Sequence, residues 1–307
     1  MYPVKLPRVS VLLSTYNGEK YIVQQLDSIL NQTYPEIEIY VRDDGSKDGT
    51  LKILERYEKK NIIHVERGKN IGFVKSFFWL LANCGDASYY AFSDQDDVWL
   101  KDKIEIAVER LQETNAEKPT LYCSNYDFYD ENLNLISHRR GKEPNIGFHN
   151  SIVDSYVAYG FTCVFNQTAR NLVTRELPQN AASHDWWLYM VCAGMGEVIY
   201  DKQVTVKYRR HGNNTSPEGF NFCKHQIWRL NKFFLSGYFL NIREQIKEYE
   251  EIFGNQLSKA DKRVLSLFTK ESFHPLIAFK KVCYPKAFRQ SIIDEIMLRI
   301  IFLIGQL

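Results

Sequence analysis

Apolar runs and polar clusters follow one another in a fixed order along the first hundred residues. Val9-Ser10-Val11-Leu12-Leu13-Ser14 is a short β-rich run closed by the turn signals Thr15-Tyr16-Asn17-Gly18. Tyr21 to Leu30 has helical spacing, with Tyr21, Ile22, Leu26, Ile29 and Leu30 on one face. Ile37 to Val41 is a second strand, running into Asp43-Asp44-Gly45-Ser46-Lys47-Asp48-Gly49-Thr50 and a helix from Leu51 to Tyr57. Ile62 to Val65 is a third strand, which opens into Arg67-Gly68-Lys69-Asn70-Ile71-Gly72-Phe73 and a helix through Leu81. Tyr89 to Phe92 is a fourth, ending at Ser93-Asp94-Gln95-Asp96-Asp97-Val98-Trp99. This alternation predicts an α/β fold, with a mostly parallel central sheet flanked by helices. Ligands of such sheets sit beyond the carboxyl ends of the strands. All four polar clusters lie at such ends.

Further along, the pattern predicts strands at Leu121 to Tyr126, Gly160 to Phe165 and Val204 to Tyr208. It predicts an apolar helix from Trp186 to Val191. Leu133 to Phe148 is polar, with basic residues at His138-Arg139-Arg140, and reads as a mobile loop beside an acceptor. The tail has an aromatic stretch from His225 to Leu240, an amphipathic helix from Asn241 to Phe253, and an apolar segment with lysines from Leu276 to Leu307.

The acidic stretch carries candidate chemistry. Three carboxylates in four positions repel one another, and burying one bare is costly or keeps it protonated. A hard divalent cation, Mg²⁺ or Mn²⁺, removes the conflict and takes its other ligands from water and substrate phosphates. A solvated acidic turn is the plain alternative. A Ca²⁺ loop of the EF-hand kind is excluded, because counting from Asp94 places Trp99 where a Gly is needed. For Asp43-Asp44-Gly45-Ser46 the plain alternative is a turn with a helix cap, which leaves the two adjacent acids without a structural reason.

Composition narrows the picture. The 307 residues, 45% apolar, suit one large domain or one with an appendage, and a net charge of +2 argues against nucleic-acid binding. From Asn221 onward there are 14 Lys/Arg and 8 Asp/Glu, a balance of +6, so the preceding residues sum to −4. Six cysteines without a C-x-x-C pair give a zinc site no support. No secretory leader is recognised ahead of the first strand and no apolar run reaches membrane-spanning length, so a reducing cytoplasm is expected.

The clusters Ser14-Thr15-Tyr16-Asn17, Asp43-Asp44-Gly45-Ser46 with Asp48, Asn70-Ile71-Gly72 and Asp94-Gln95-Asp96-Asp97 resemble, in this order, glycosyltransferase family 2. These are inverting enzymes with a GT-A, Rossmann-like nucleotide-binding fold. The stretch Ser93 to Trp99 with Lys101-Asp102-Lys103 is similar to that of bacterial rhamnosyltransferases of surface-polysaccharide synthesis. The resemblance implies a nucleotide-sugar site in which Thr15, Tyr16 and Asn17 hold base and ribose. Asp44, with Asp43 beside it, would read the pyrimidine edge, and Arg67, Asn70 and Gly72 would border base and ribose. In the D-x-D motif, Asp94 would contact ribose and Asp96 the metal, with Gln95 and Asp97 at the donor.

In Ser183-His184-Asp185-Trp186-Trp187-Leu188, Asp185 falls where the family places its base, although it would also serve as an ordinary helix cap. Trp186 and Trp187 offer flat faces for an acceptor. Tyr208-Arg209-Arg210-His211-Gly212-Asn213-Asn214 resembles a Y-R-x-H-x-x-N stretch. In it Arg209 and Arg210 would neutralise the leaving diphosphate, and His211 would be a further metal ligand or diphosphate contact.

The expectation is a GT-A catalytic domain over residues 1–220, with 8–115 binding the nucleotide sugar and 116–220 forming the acceptor side. A C-terminal helical region over 221–307 would touch the inner membrane surface or pair two chains into a homodimer. The expected reaction is transfer from dTDP-L-rhamnose, or from a UDP-hexose, to a lipid-linked saccharide, with Mn²⁺ or Mg²⁺, on the cytoplasmic face of the cell membrane. Two rival classes are a nucleotidyltransferase, which would usually carry a Gly-rich phosphate loop after the first strand, and a catalytically silent nucleotide-binding or scaffolding subunit.

Overall fold

The structure, a computed structural model, describes residues 6–139, 143–212, 238–270, 273–305 and 307. The expectations for Arg140, Asn213, Asn214 and the aromatic stretch up to residue 237 lie outside these residues. The elements begin with β1 (Val9–Thr15), α1 (Ile22–Leu30), β2 (Ile37–Asp43), α2 (Thr50–Glu58), β3 (His64–Arg67), α3 (Phe73–Asn83) and β4 (Tyr89–Ser93). Next are β5 (Val98–Trp99), α4 (Lys103–Gln112), β6 (Thr120–Tyr129), β7 (Leu135–His138), α5 (Phe148–Ser151), β8 (Cys163–Asn166), α6 (Gln167–Arg175), α7 (His184–Met195) and β9 (Glu197–Arg209). The tail adds α8 (Tyr238–Phe253), α9 (Lys259–Leu265), α10 (Pro275–Val282) and α11 (Ile292–Leu303).

Among the described residues the strands form one sheet in the order β3-β2-β1-β4-β8-β6-β9-β5, with β7 paired to β6. β1 to β4 are mutually parallel, and β6 and β9 point the same way, because β8 runs antiparallel to both β4 and β6. The mostly parallel sheet is therefore present, and the reversed strand β8 is where its two halves join. One core lies between the sheet and α1, α2 and α4, around Leu13, Leu26, Val41, Leu54 and Val108. The other lies under α3, α6 and α7, and the tail helices share it through Phe239, Ile242, Tyr249, Phe253 and Phe302.

Four local expectations change. Part of the 133–148 loop is β7, held by a turn in which the Asp130 carboxylate accepts from the backbone N–H of Asn132 and Asn134. β9 begins at Glu197, earlier than the Val204 start that its pattern suggests. The strand expected from Gly160 opens instead as a 3₁₀ turn over Gly160–Thr162 and becomes β8 only at Cys163. β5 is a two-residue strand seated antiparallel on β9, which the acidic motif did not foretell.

Candidate active site

The carboxyl ends of β1, β2 and β4 bring their loops together. Gln95 joins two of them: its Oε1 accepts from the Thr15 hydroxyl at 2.6 Å and from the Tyr16 N–H at 2.9 Å, and its Nε2 donates to the Tyr16 carbonyl at 3.2 Å. A Cβ on Gly18 would lie 2.4 Å from that Oε1, so a side chain there would have to displace the Gln95 amide from this arrangement. The Asn17 N–H donates to Ser46 Oγ at 2.8 Å and its Oδ1 accepts from the Lys47 N–H at 2.8 Å, tying the β1 loop to the β2 loop. Tyr16 is left exposed at the rim.

Asp43 and Asp44 each have structural work, which corrects the reading that left the pair without a reason. Asp43 accepts from the N–H groups of Gly45 and Ser46 and from the Ser46 hydroxyl. Asp44, 2% exposed, is ion-paired with the buried Arg42 and accepts from the N–H groups of Ile71 and Gly72, each at 2.9 Å. Gly72 has φ +82°, a conformation other residues rarely adopt, and this turns its N–H toward Asp44. Asn70 lies exposed above this loop. Arg67 points along the surface to Glu58, and this hydrogen-bonded pair raises the guanidinium above its ordinary value and lowers the carboxyl.

The acidic loop follows. Asp97 is fully buried, its Oδ1 accepts from the Arg209 N–H at 3.0 Å, and its Oδ2 has no partner. Burial first, then Asp96 and Asp94, pushes its carboxyl well above the usual range. Asp94 is pushed up to about 8, first by burial, then by Asp96, then by Asp185. The chain thus gathers a fourth acid, Asp185, from α7, more than eighty residues downstream of the other three. Asp96 Oδ2 lies 2.7 Å from His211 Nε2, and the His211 ring stacks on Tyr21 with centroids 4.7 Å apart.

Arg209 has a different task from the one expected. It is 2% exposed, and its guanidinium donates to the carbonyls of Asp96 and Glu131, both at 2.7 Å, and to Gln24 Oε1 at 2.6 Å. A guanidinium so enclosed braces the backbone of the acidic loop. The Arg210 guanidinium lies over the Phe128 and Tyr208 rings.

Ser183 caps α7, and its hydroxyl also donates to Asp185 Oδ1, which accepts the Trp186 N–H at 2.8 Å. Asp185 Oδ2 accepts the Gly160 N–H at 2.8 Å. These donors orient the carboxylate, and Oδ2 keeps lone-pair capacity for a proton. Trp186 and Trp187 are not acceptor platforms. Trp186 is buried with its Nε1 donating to the Ser151 carbonyl at 2.6 Å, and Trp187 is 0% exposed against Tyr249 and Phe253. Trp187 packs α7 onto the tail and Trp186 ties it to α5, because the apolar face that suits a sugar ring also suits a core.

Some residues carry weight that the motifs did not signal. His184 lies buried with its ring stacked 3.9 Å from Phe77, and burial pushes it down to about 4, so it is neutral. Tyr21 backs both His211 and Arg209. Lys103 falls on the buried face of α4 with Ile104, Ala107, Val108 and Leu111. A lysine in register with those apolar positions was the available signal.

Among the described residues no three His, Cys, Asp or Glu side chains form a metal cluster. Asp96 and His211 nonetheless supply one carboxylate oxygen and one imidazole nitrogen side by side, next to acids that burial and mutual repulsion leave reluctant to ionise. That donor set fits a Mn²⁺- or Mg²⁺-type cation whose remaining ligands are substrate phosphates and water.

Strand ends arranged for a nucleotide, with a carboxylate facing them from another element, suit the transfer of a group activated by that nucleotide. The chain is a glycosyltransferase. Residues 10–170 match the model of Glycosyl transferase family 2, and the chain belongs to that family. The dTDP-rhamnosyl transferase RfbG of Shigella flexneri is 31% identical over 227 residues, 68% of this chain and 75% of that protein. S. aureus TarS 1–349 in complex with UDP superposes with a TM-score of 0.57 at 18% identity, covering 91% of this chain and 75% of that one. The mannosyltransferase PcManGT from Pyrobaculum calidifontis, in complex with GDP-Man and Mn²⁺, superposes with 0.51 at 18% identity over 86% and 69%. At such identity these neighbours establish the shared GT-A fold.

Proposed function

We propose that this chain transfers L-rhamnose from dTDP-L-rhamnose to a lipid-linked saccharide in the synthesis of a bacterial surface polysaccharide, inverting the anomeric carbon. The observation that carries the reaction type is Asp185, held by three donors and close enough to the acidic loop to raise Asp94. Residues 8–115 bind the donor and 116–220 form the acceptor side. Asp185 takes the proton of the acceptor hydroxyl while its oxygen attacks C1. The bond from C1 to the diphosphate oxygen breaks, and dTDP leaves with that electron pair. Asp96 and His211 would hold a divalent cation, which when bound would neutralise charge on the diphosphate. The donor assignment leans on the dTDP-rhamnosyl relative. A UDP-hexose is the second reading, favoured by the structural neighbour that carries UDP. Incubating the protein with labelled dTDP-rhamnose, UDP-glucose and UDP-galactose, Mn²⁺ and a polyprenyl-diphosphate saccharide decides between them. Transfer from none of the three would reject the reading.

Asp96→Ala is expected to weaken dTDP binding in Mn²⁺ by about 10-fold or more, with little change in its absence. Calorimetry with and without the ion checks this. Equal losses in both would make Asp96 a fold residue.

Among the described residues no helix is long and apolar enough to cross a membrane. The tail nevertheless exposes Leu276 and Phe279 on α10, and Ile292, Ile293, Ile296, Ile300 and Leu303 on α11. The exposed lysines Lys280 and Lys286 lie in the same region. We assign this face to the anionic cytoplasmic leaflet, where a lipid-linked acceptor resides. Ile296→Glu with Ile300→Glu is expected to reduce co-sedimentation with phosphatidylglycerol vesicles by at least about 10-fold. Unchanged sedimentation, with chain-dimer dissociation instead, would give the face to a second copy.

A further inference from the structure

Lys103 opens α4, six residues beyond Asp97, and is 0% exposed. Its Nζ donates to the Thr162 carbonyl at 3.3 Å and lies 4.9 Å from the centre of the Trp99 ring. Among the described residues no carboxylate comes within ion-pairing distance of it. Its charged neighbourhood consists of Asp97, also fully buried with Oδ2 unpartnered, and the thiols of Cys123 and Cys163. Burial pushes the ammonium down to about 8.

A lysine in such a place is costly, and the surrounding face would accept methionine or leucine. Its position shows what the charge does. Thr162 ends the 3₁₀ turn that begins at Gly160, and the Gly160 N–H donates to Asp185 Oδ2. Asp97, for its part, holds the Arg209 N–H, two residues before the His211 that meets Asp96. These two buried side chains therefore each tie down one segment of the site. One secures the turn that aims the base, and the other secures the segment that carries His211.

We infer that Lys103 is a positioning residue for transfer: through Thr162 and Gly160 it fixes where Asp185 stands relative to the acidic loop. It touches neither donor nor acceptor. This rests on the reading of Asp185 as the base.

Lys103→Met keeps the core volume and removes both the charge and the hydrogen bond. Lys103→Gln restores a donor without charge. With purified full-length protein, dTDP release from dTDP-rhamnose in Mn²⁺ is followed with the acceptor that the parent protein uses, and again with water alone as acceptor. Lys103→Met is expected to lower kcat about 10- to 100-fold in both assays. The donor KM and the dTDP affinity by calorimetry stay within about 3-fold, and Lys103→Gln recovers part of the loss. A merely structural lysine would lower the thermal midpoint and the active fraction without separating kcat from KM. Should Lys103→Met fail to fold, the same split is read on Lys103→Gln. Parental kcat in the folded variants, or parallel losses in kcat and dTDP affinity, overturns the inference. Asp185→Asn run alongside separates the two readings. If it retains turnover, the base assignment fails. If it is inactive while Lys103→Met is parental, only the role of Lys103 falls.

Discussion

Asp185→Asn is expected to lower kcat for sugar transfer by about 10³-fold, within the 10²- to 10⁴-fold span of general-base removal. Donor affinity should hardly change. The amide cannot take up the acceptor's proton, yet it fills the same space at the start of α7. Asp185 reaches the donor side only through charge, as the third contributor to the raised Asp94, so neutralising it should not loosen the nucleotide. One structural cost is expected. The carboxylate accepts from Ser183, Trp186 and Gly160, and an amide NH₂ in place of one carboxylate oxygen cannot accept from the N–H or O–H donor facing it. A stability loss of about 1–3 kcal/mol follows. Calorimetry with dTDP, a thermal melt and a transfer assay on one preparation separate these effects. Near-parental turnover would move the base elsewhere and leave Asp185 as the helix cap it also is.

The second large effect concerns stability. Trp187→Ala should destabilise the fold by about 3–5 kcal/mol, the usual cost of emptying a large buried aromatic site. Trp187 is fully enclosed, with ring contacts to Tyr249 and Phe253 on α8, so the cavity opens at the junction between α7 and the tail. Trp187→Phe should cost far less, since the indole N–H it removes is buried without a partner. It should leave the acceptor KM unchanged. Denaturant unfolding of both variants checks the first part. A raised acceptor KM in a well-folded Trp187→Phe would return the indole to the acceptor site.

The strand-loop-helix order of the first hundred residues was legible because β1, β2 and β4 are largely buried and the loops that follow them are polar. That contrast fails for β7, whose four residues are mostly exposed, and for the first half of β9, where no clean alternation of burial exists. Gly160 to Phe165 is apolar throughout, and only the fold shows that it starts as a turn so that Gly160 can donate to Asp185. The two tryptophans were misread for a plain reason: aromatic composition reports affinity for an apolar face without saying whether protein or sugar supplies it.

By itself the sequence determined the α/β class, the family, the rim at which polar clusters meet, and the acidic cluster on that rim. These follow from local periodicity and from residue types whose chemistry has few uses. Only the tertiary structure decided which polar groups remain available. It withdrew Arg209 into a brace, seated Asp44 beneath the Ile71–Gly72 backbone, buried Trp187, and brought Asp185 and Lys103 near the acidic loop. Such outcomes depend on distances between residues far apart in the chain. Desolvation and hydrogen bonding act through those distances, and a linear order of residues does not contain them.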